Sequence, residues 1–103
     1  MSWVAACGVD DIDEEDLIRF DHAGRTYPVY KDPSGAFFAT DGLCSHEKVH
    51  LSGGLVMGDR IECPKHNGQF NYKTGEAVRL PCVANIRTYR TRVMGDTVEI
   101  EVE

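Results

Sequence analysis

Cys44-Ser45-His46 and Cys63-Pro64-Lys65-His66-Asn67-Gly68-Gln69-Phe70 are the two stretches on which the reading of this chain turns. Each pairs a Cys with a His, so Cys44, His46, Cys63 and His66 form a set of two thiolates and two imidazoles. Sixteen residues separate His46 from Cys63, which lets two loops approach one centre from opposite sides. A cluster of two irons bridged by two sulfides needs two protein ligands per iron, and this set supplies thiolates to one iron and imidazoles to the other. Each loop then gives its Cys to the inner iron and its His to the outer one.

The same side-chain types also hold zinc in a tetrahedron. Structural zinc sites tend to pair Cys with Cys on one knuckle and His with His on a helix, at C-x2-4-C and H-x3-5-H spacings. Here each arm is mixed, the first has a one-residue gap, and Pro64 and Gly68 hold the second in a loop. These features favour the iron-sulfur reading, and metal analysis separates it from a zinc-stabilised interaction module. Gly42, Gly53, Gly54 and Gly68 flank the arms. Glycine lets a loop turn sharply and aim backbone N–H groups at sulfur, though each of these four is also compatible with an ordinary turn.

With C-x-H followed by C-P-x-H-x-G-x-F, the chain resembles the Rieske-type [2Fe-2S] ferredoxins of bacterial oxygenase systems over nearly its whole length. Glu47 to Val56 and Glu62 to Thr74 look particularly similar to ferredoxins associated with rhizopine-type oxygenases. The resemblance implies an all-β fold: a small antiparallel β-sandwich or barrel framework with an inserted cluster-binding subdomain of rubredoxin-like, zinc-ribbon-like loops. That subdomain falls at about residues 41–71 of a single domain, 1–103. It also implies one Rieske [2Fe-2S] cluster on Cys44, His46, Cys63 and His66. The implied role is a soluble, monomeric one-electron carrier, not itself an enzyme. It would take electrons from an NAD(P)H-dependent flavin reductase and pass them to a terminal oxygenase of the Rieske non-haem iron or diiron type. The alternative is a Rieske-fold small subunit of a larger redox enzyme such as a nitrite reductase.

A sister family, the high-potential Rieske proteins of respiratory complexes, is informative by contrast. Its cluster loops carry two further Cys that form a disulfide, at positions matching Val49 and Lys65 here. Its Ser and Tyr hydroxyls near the cluster match Gly68 and Phe70, which have no donor to offer. The resemblance therefore implies a low potential within the Rieske span of roughly −150 to +300 mV. Two ferric ions, two sulfides, two thiolates and two neutral imidazoles sum to zero charge. Such a site accepts an electron more readily than an anionic all-Cys cluster.

At 103 residues the chain is large enough for one modest core. A complete oxygenase also carries a mononuclear iron held by two His and a carboxylate, and only His22 and His50 remain after the cluster is built. His22 reads as a residue of a solvated hairpin turn, and His50 as a surface residue of the first cluster loop. Cys7 and Cys82 read as small core hydrophobes, with a disulfide between them as the lesser alternative, and Cys82 follows Pro81 in a segment that resembles the family's third, proline-bearing loop over the cluster. Met1 to Asp16 has neither a basic region nor a long apolar run, and no segment approaches the roughly twenty apolar residues of a membrane span. A cytoplasmic protein without membrane insertion is expected.

Of seventeen acids, six lie in Asp10, Asp11, Asp13, Glu14, Glu15 and Asp16, and these account for the net charge of −6. Such a run is usually a solvated face, and its functional version is steering toward a basic partner surface. No basic patch with interleaved aromatics points to nucleic acid. Strands are expected at Leu17–Phe20 and Thr26–Lys31 around an Asp21–Arg25 turn, then at Ala36–Thr40, Arg60–Glu62 and Gln69–Tyr72. Ile86–Val93 and Thr97–Val102 alternate around Gly95-Asp96 as a half-buried antiparallel pair. Val9–Asp16 is the one candidate for a short helical turn.

Overall fold

Alternating apolar and polar residues over short runs, punctuated by Gly, Pro and Asp, build a chain of strands. The computed structural model describes residues Met1–Glu103 and contains eleven of them, with one 3-10 turn at Leu51–Gly53 and no α-helix. In order they are β1 (Ser2–Gly8), β2 (Asp16–His22), β3 (Arg25–Lys31), β4 (Phe37–Thr40), β5 (Leu55–Met57), β6 (Arg60–Glu62), β7 (Gln69–Asn71), β8 (Ala77–Arg79), β9 (Thr88–Tyr89), β10 (Thr91–Met94) and β11 (Thr97–Val102). They form three antiparallel sheets, ordered β1-β11-β10, β2-β3-β4-β9 and β5-β6-β7-β8. The all-β architecture expected from the sequence is the one observed.

The first two sheets pack as the framework around Ile12, Tyr27, Val29, Ala39, Tyr89, Val98, Ile100 and Val102. Strand β11 shows the period of two at its clearest: Val98, Ile100 and Val102 are buried and the residues between them are half-exposed. The third sheet and the loops above it enclose a second core of Tyr30, Cys44, Leu51, Val56, Ile61, Cys63, Phe70, Tyr72, Cys82 and Ile86.

Strand β3 belongs to both cores. Tyr27 and Val29 face the framework, while Tyr30 points the other way and stacks on Tyr72 with ring centroids 4.6 Å apart. Tyr30 also shares a buried hydrogen bond with Thr40 at 2.9 Å. Next along the chain, the buried Asp32 accepts from Lys73 at 2.9 Å, from Ser34 Oγ at 2.7 Å and from the Ala36 N–H at 2.8 Å. Lys73 chiefly, with desolvation opposing and Ser34 and Ala36 adding, holds the Asp32 carboxyl well below the usual carboxylate range. The Tyr30–Tyr72 stack and the Asp32–Lys73 pair fix the third sheet to the framework.

The β2–β3 hairpin turns through Ala23 and Gly24, both at positive φ, the backbone of the two-residue turns that match strand twist. Three details differ from expectation. Val9–Asp16 forms no helical turn: Ile12 is its one fully buried residue, and Asp11 accepts from the Gly8 N–H at 2.7 Å, which favours bends over helix. Ile86–Val93 is not one strand. Ile86 is buried in the second core, Tyr89 crosses to the first and meets Tyr27 edge-on at 5.0 Å, and only Thr91–Met94 pairs with β11. Strands β1, β5 and β8 were not anticipated, and the third sheet runs on to Arg79, past residue 71.

Candidate metal centre

The first candidate loop lies between β4 and the Leu51–Gly53 turn, and the second lies between β6 and β7. Each closes on its own cysteine. The Cys44 N–H donates to the Val49 carbonyl at 2.9 Å, and the Cys63 N–H donates to the Gly68 carbonyl at 2.7 Å. Both thiols are buried, with Cys44 2% and Cys63 3% exposed. The backbone N–H groups of His46 and Glu47 point at the Cys44 sulfur, and those of Lys65 and His66 point at the Cys63 sulfur. The two loops thus repeat one device: N–H groups two and three residues beyond the cysteine form a nest suited to anionic sulfur. For Cys44, burial pulls the pKa up, but these N–H groups and the neighbouring thiols outweigh it and leave the group below its ordinary value. Cys63 stays raised, through burial and through the nearby Cys44.

The imidazoles stand outside the thiols. The side chains of His46 and His66 are 37% and 46% exposed, and their rings sit edge to face with centroids 5.5 Å apart. One carboxylate faces both. Glu47 Oε1 lies 3.1 Å from His66 Nε2 and 4.0 Å from His46 Nε2, and Glu47 Oε2 pairs with Lys65 Nζ at 2.7 Å. Lys65 first and His66 second hold the Glu47 carboxyl below its usual range. At the Lys65 position, where the resemblance excludes a disulfide, an ion pair therefore ties the two loops together.

His46, Glu47 and His66 bring ligand atoms within 4.8 Å of one another, and two imidazoles with a carboxylate can also hold a mononuclear ferrous ion. That reading leaves two buried thiols and their aimed N–H groups without a task. A set of both thiols and both imidazoles would give them one, leaving the Nε2 atoms of His66 and His46 to face Glu47 at 3.1 and 4.0 Å.

A third loop, after β8, closes the centre from the side. Cys82 Sγ lies 3.7 Å from Cys44 Sγ, and burial, then Cys44 itself, pushes the Cys82 thiol up to about 12. Gly68 lets this loop approach: a Cβ there would lie 2.4 Å from Cys82 Sγ. Ser45 Oγ donates to the Ala84 carbonyl, so the hydroxyl of the first loop is directed away from the sulfurs.

All four residues singled out in the sequence, Cys44, His46, Cys63 and His66, come together. Cys7 does not, since it packs against the framework core, and every cysteine is a free thiol. His22 ends β2, stacked on Phe20 at 6.1 Å. His50 bridges back to Leu43 at the end of the first loop. The resemblance placed Cys82 in the third loop over the centre, where it lies. Sequence reasoning missed the meeting of Glu47 and Lys65: Glu47 follows a candidate ligand directly, but nothing in the sequence says where its side chain points.

The donor set fits a Rieske [2Fe-2S] cluster: two buried sulfurs, each cradled by two N–H groups, lie beneath two exposed imidazoles. Comparison with known proteins agrees. The Rieske [2Fe-2S] domain family matches residues 2–90, and the chain belongs to that family. The chain is 34% identical over 102 residues to the ferredoxin component of the naphthalene 1,2-dioxygenase/salicylate 5-hydroxylase systems of a Ralstonia species, covering 99% of this chain and 97% of that protein. Its fold matches the ferredoxin of carbazole 1,9a-dioxygenase from Nocardioides aromaticivorans IC177, with a TM-score of 0.93 and 30% identity across both full chains. It also matches a chain in the complex of reduced oxygenase and oxidized ferredoxin of carbazole 1,9a-dioxygenase, with a TM-score of 0.90, 30% identity and coverage of 98% and 97%. The chain is an electron carrier of the ferredoxin kind and not itself a catalyst. No helix is long and apolar enough to cross a membrane.

Proposed function

We propose that this protein is the ferredoxin component of an oxygenase system for aromatic compounds. In this reading Cys44 and Cys63 hold the inner iron, and His46 and His66 hold the outer iron of one Rieske [2Fe-2S] cluster. The observation that carries it is the arrangement of two N–H-cradled, buried thiols beneath two exposed imidazoles. Residues 1–103 act as one domain, monomeric and cytoplasmic. The bound cluster supplies reversible one-electron storage. The chain's own part is to shield the sulfurs from water, present the imidazole edge and orient it through Glu47. An NAD(P)H-dependent flavin reductase donates at this edge and a terminal oxygenase accepts there. Exposed Leu80 and Val83, in the third loop beside Cys82, offer apolar area for docking. The 34% identity over 102 residues to a ferredoxin component supports a free carrier over a nitrite reductase small subunit.

The purified protein should contain two irons and two acid-labile sulfides, be coloured, and give a rhombic EPR signal only once reduced, because coupling of two ferric ions silences the oxidised form. One zinc per chain with no visible absorption would overturn this reading.

A further inference from the structure

Glu47 and Lys65 lie on the outward edge of the two imidazoles, and neither is part of the ligand set. The Glu47 carboxylate is in hydrogen-bonding contact with His66 Nε2, lies 4.0 Å from His46 Nε2, and has Lys65 on its second oxygen at 2.7 Å. We infer that this ion pair sets the reduction potential of the cluster through the histidines, with Glu47 lowering it and Lys65 limiting the effect. The inference deepens the cluster reading above and rests on it.

The argument is one of charge and of hydrogen bonding. Reduction adds an electron to the outer iron's side of the cluster, and a carboxylate held against both imidazoles opposes that charge. An acceptor on the outer N–H of a metal-bound imidazole also raises the basicity of the ligating nitrogen, which favours the ferric form. Both effects lower the potential. Lys65 acts with the opposite sign, by neutralising Glu47 and by drawing its electron density away from the imidazoles. Because Glu47 faces the rings directly and Lys65 binds its far oxygen, the carboxylate dominates the pair. Glu47 is thus a positioning residue as well as a charge, since it fixes the orientation of the His66 ring.

Midpoint potentials of the full-length holoprotein and of E47Q, K65M and the E47Q/K65M double variant, read by protein-film voltammetry at one neutral pH, test the inference. E47Q should shift upward, K65M downward, and the double variant should fall between them. Added salt should shrink both single shifts, because the pair is exposed. The EPR g-values of E47Q should also move as the His66 ring exchanges a charged acceptor for a weaker, neutral one. Two single variants shifting the same way, or an unmoved potential in E47Q, would overturn the inference. If E47Q does not assemble a cluster, K65M decides alone, and an unchanged or raised potential refutes. Iron and sulfide counts on the wild-type sample distinguish these outcomes from failure of the cluster reading, which would show as absent iron.

Discussion

Removing one hydroxyl tests how the cluster-bearing sheet is held. Tyr72 is fully buried, stacks on Tyr30, meets Phe38 edge-on at 5.8 Å and donates its hydroxyl to the Gly58 carbonyl. Tyr72→Phe keeps both ring contacts and deletes only the hydrogen bond, a net loss of about 1 kcal/mol. In a domain of this size that lowers the melting temperature by about 4–8 °C. Tyr72→Ala also removes the stack and leaves a cavity, at a cost of about 3–5 kcal/mol, out of a total stability of about 5–15 kcal/mol. A pH scan adds a second check. Burial first, then the carboxylates of Asp32, Asp59 and Glu15, pushes the Tyr72 phenol up to about 12. A raised phenol favours the folded state fully below its ordinary pKa near 10. That contribution is lost as pH climbs toward 12, and Tyr72→Phe does not share the loss. Melting followed by circular dichroism should therefore show wild type ahead of Tyr72→Phe at pH 7, with the gap narrowing between pH 10 and 12. Equal melting at pH 7, or a gap constant across the alkaline range, would refute the role assigned to this hydroxyl. A Tyr72→Ala variant melting within 2 °C of wild type would refute the joint itself.

Cys44→Ala or Cys63→Ala should prevent stable cluster assembly, whereas Cys7→Ser should leave iron and sulfide content intact, as measured by metal and sulfide analysis. Gly68→Ala should lower cluster retention during gel filtration because its Cβ meets Cys82 Sγ. Adding Cys82→Ala should restore part of that retention, and no restoration would mean that the third-loop backbone is the real obstacle. Asp32→Asn should cost about 1.5–3 kcal/mol at neutral pH, the scale for hydrogen bonds to a charged group. The native carboxyl is depressed, so its contribution is present above the ordinary carboxylate pKa and fades as pH falls below it. Urea midpoints of variant and wild type should converge in acid, and a difference that persists there would refute the assignment.

The candidate site was legible because such chemistry needs particular side chains at close spacing: Cys44 with His46, and Cys63 with His66, each two or three residues apart. The β2–β3 hairpin was legible for a similar reason, since local turn chemistry at Ala23-Gly24 determines it. What escaped depends on contacts between distant segments. Thr26–Lys31 reads as a strand, but only the packed fold shows that Tyr27 and Tyr30 serve different cores. In Ile86–Val93 the buried residues Ile86 and Tyr89 are three apart, and that spacing records a chain crossing from one core to the other where a single strand would keep a period of two. Glu47 and Lys65 read as ordinary surface charges because their meeting requires two loops whose relative placement no local pattern encodes.

The burial contrast within the candidate centre has a consequence for traffic. The thiol side is sealed by the third loop and by Gly68, and the imidazole side is open to solvent. Under the proposed function an electron would enter and leave through this one open side. A reductase and an oxygenase would then compete for one footprint, so excess reductase should slow an oxygenase assay by holding the carrier. Rapid release serves such a carrier better than tight binding.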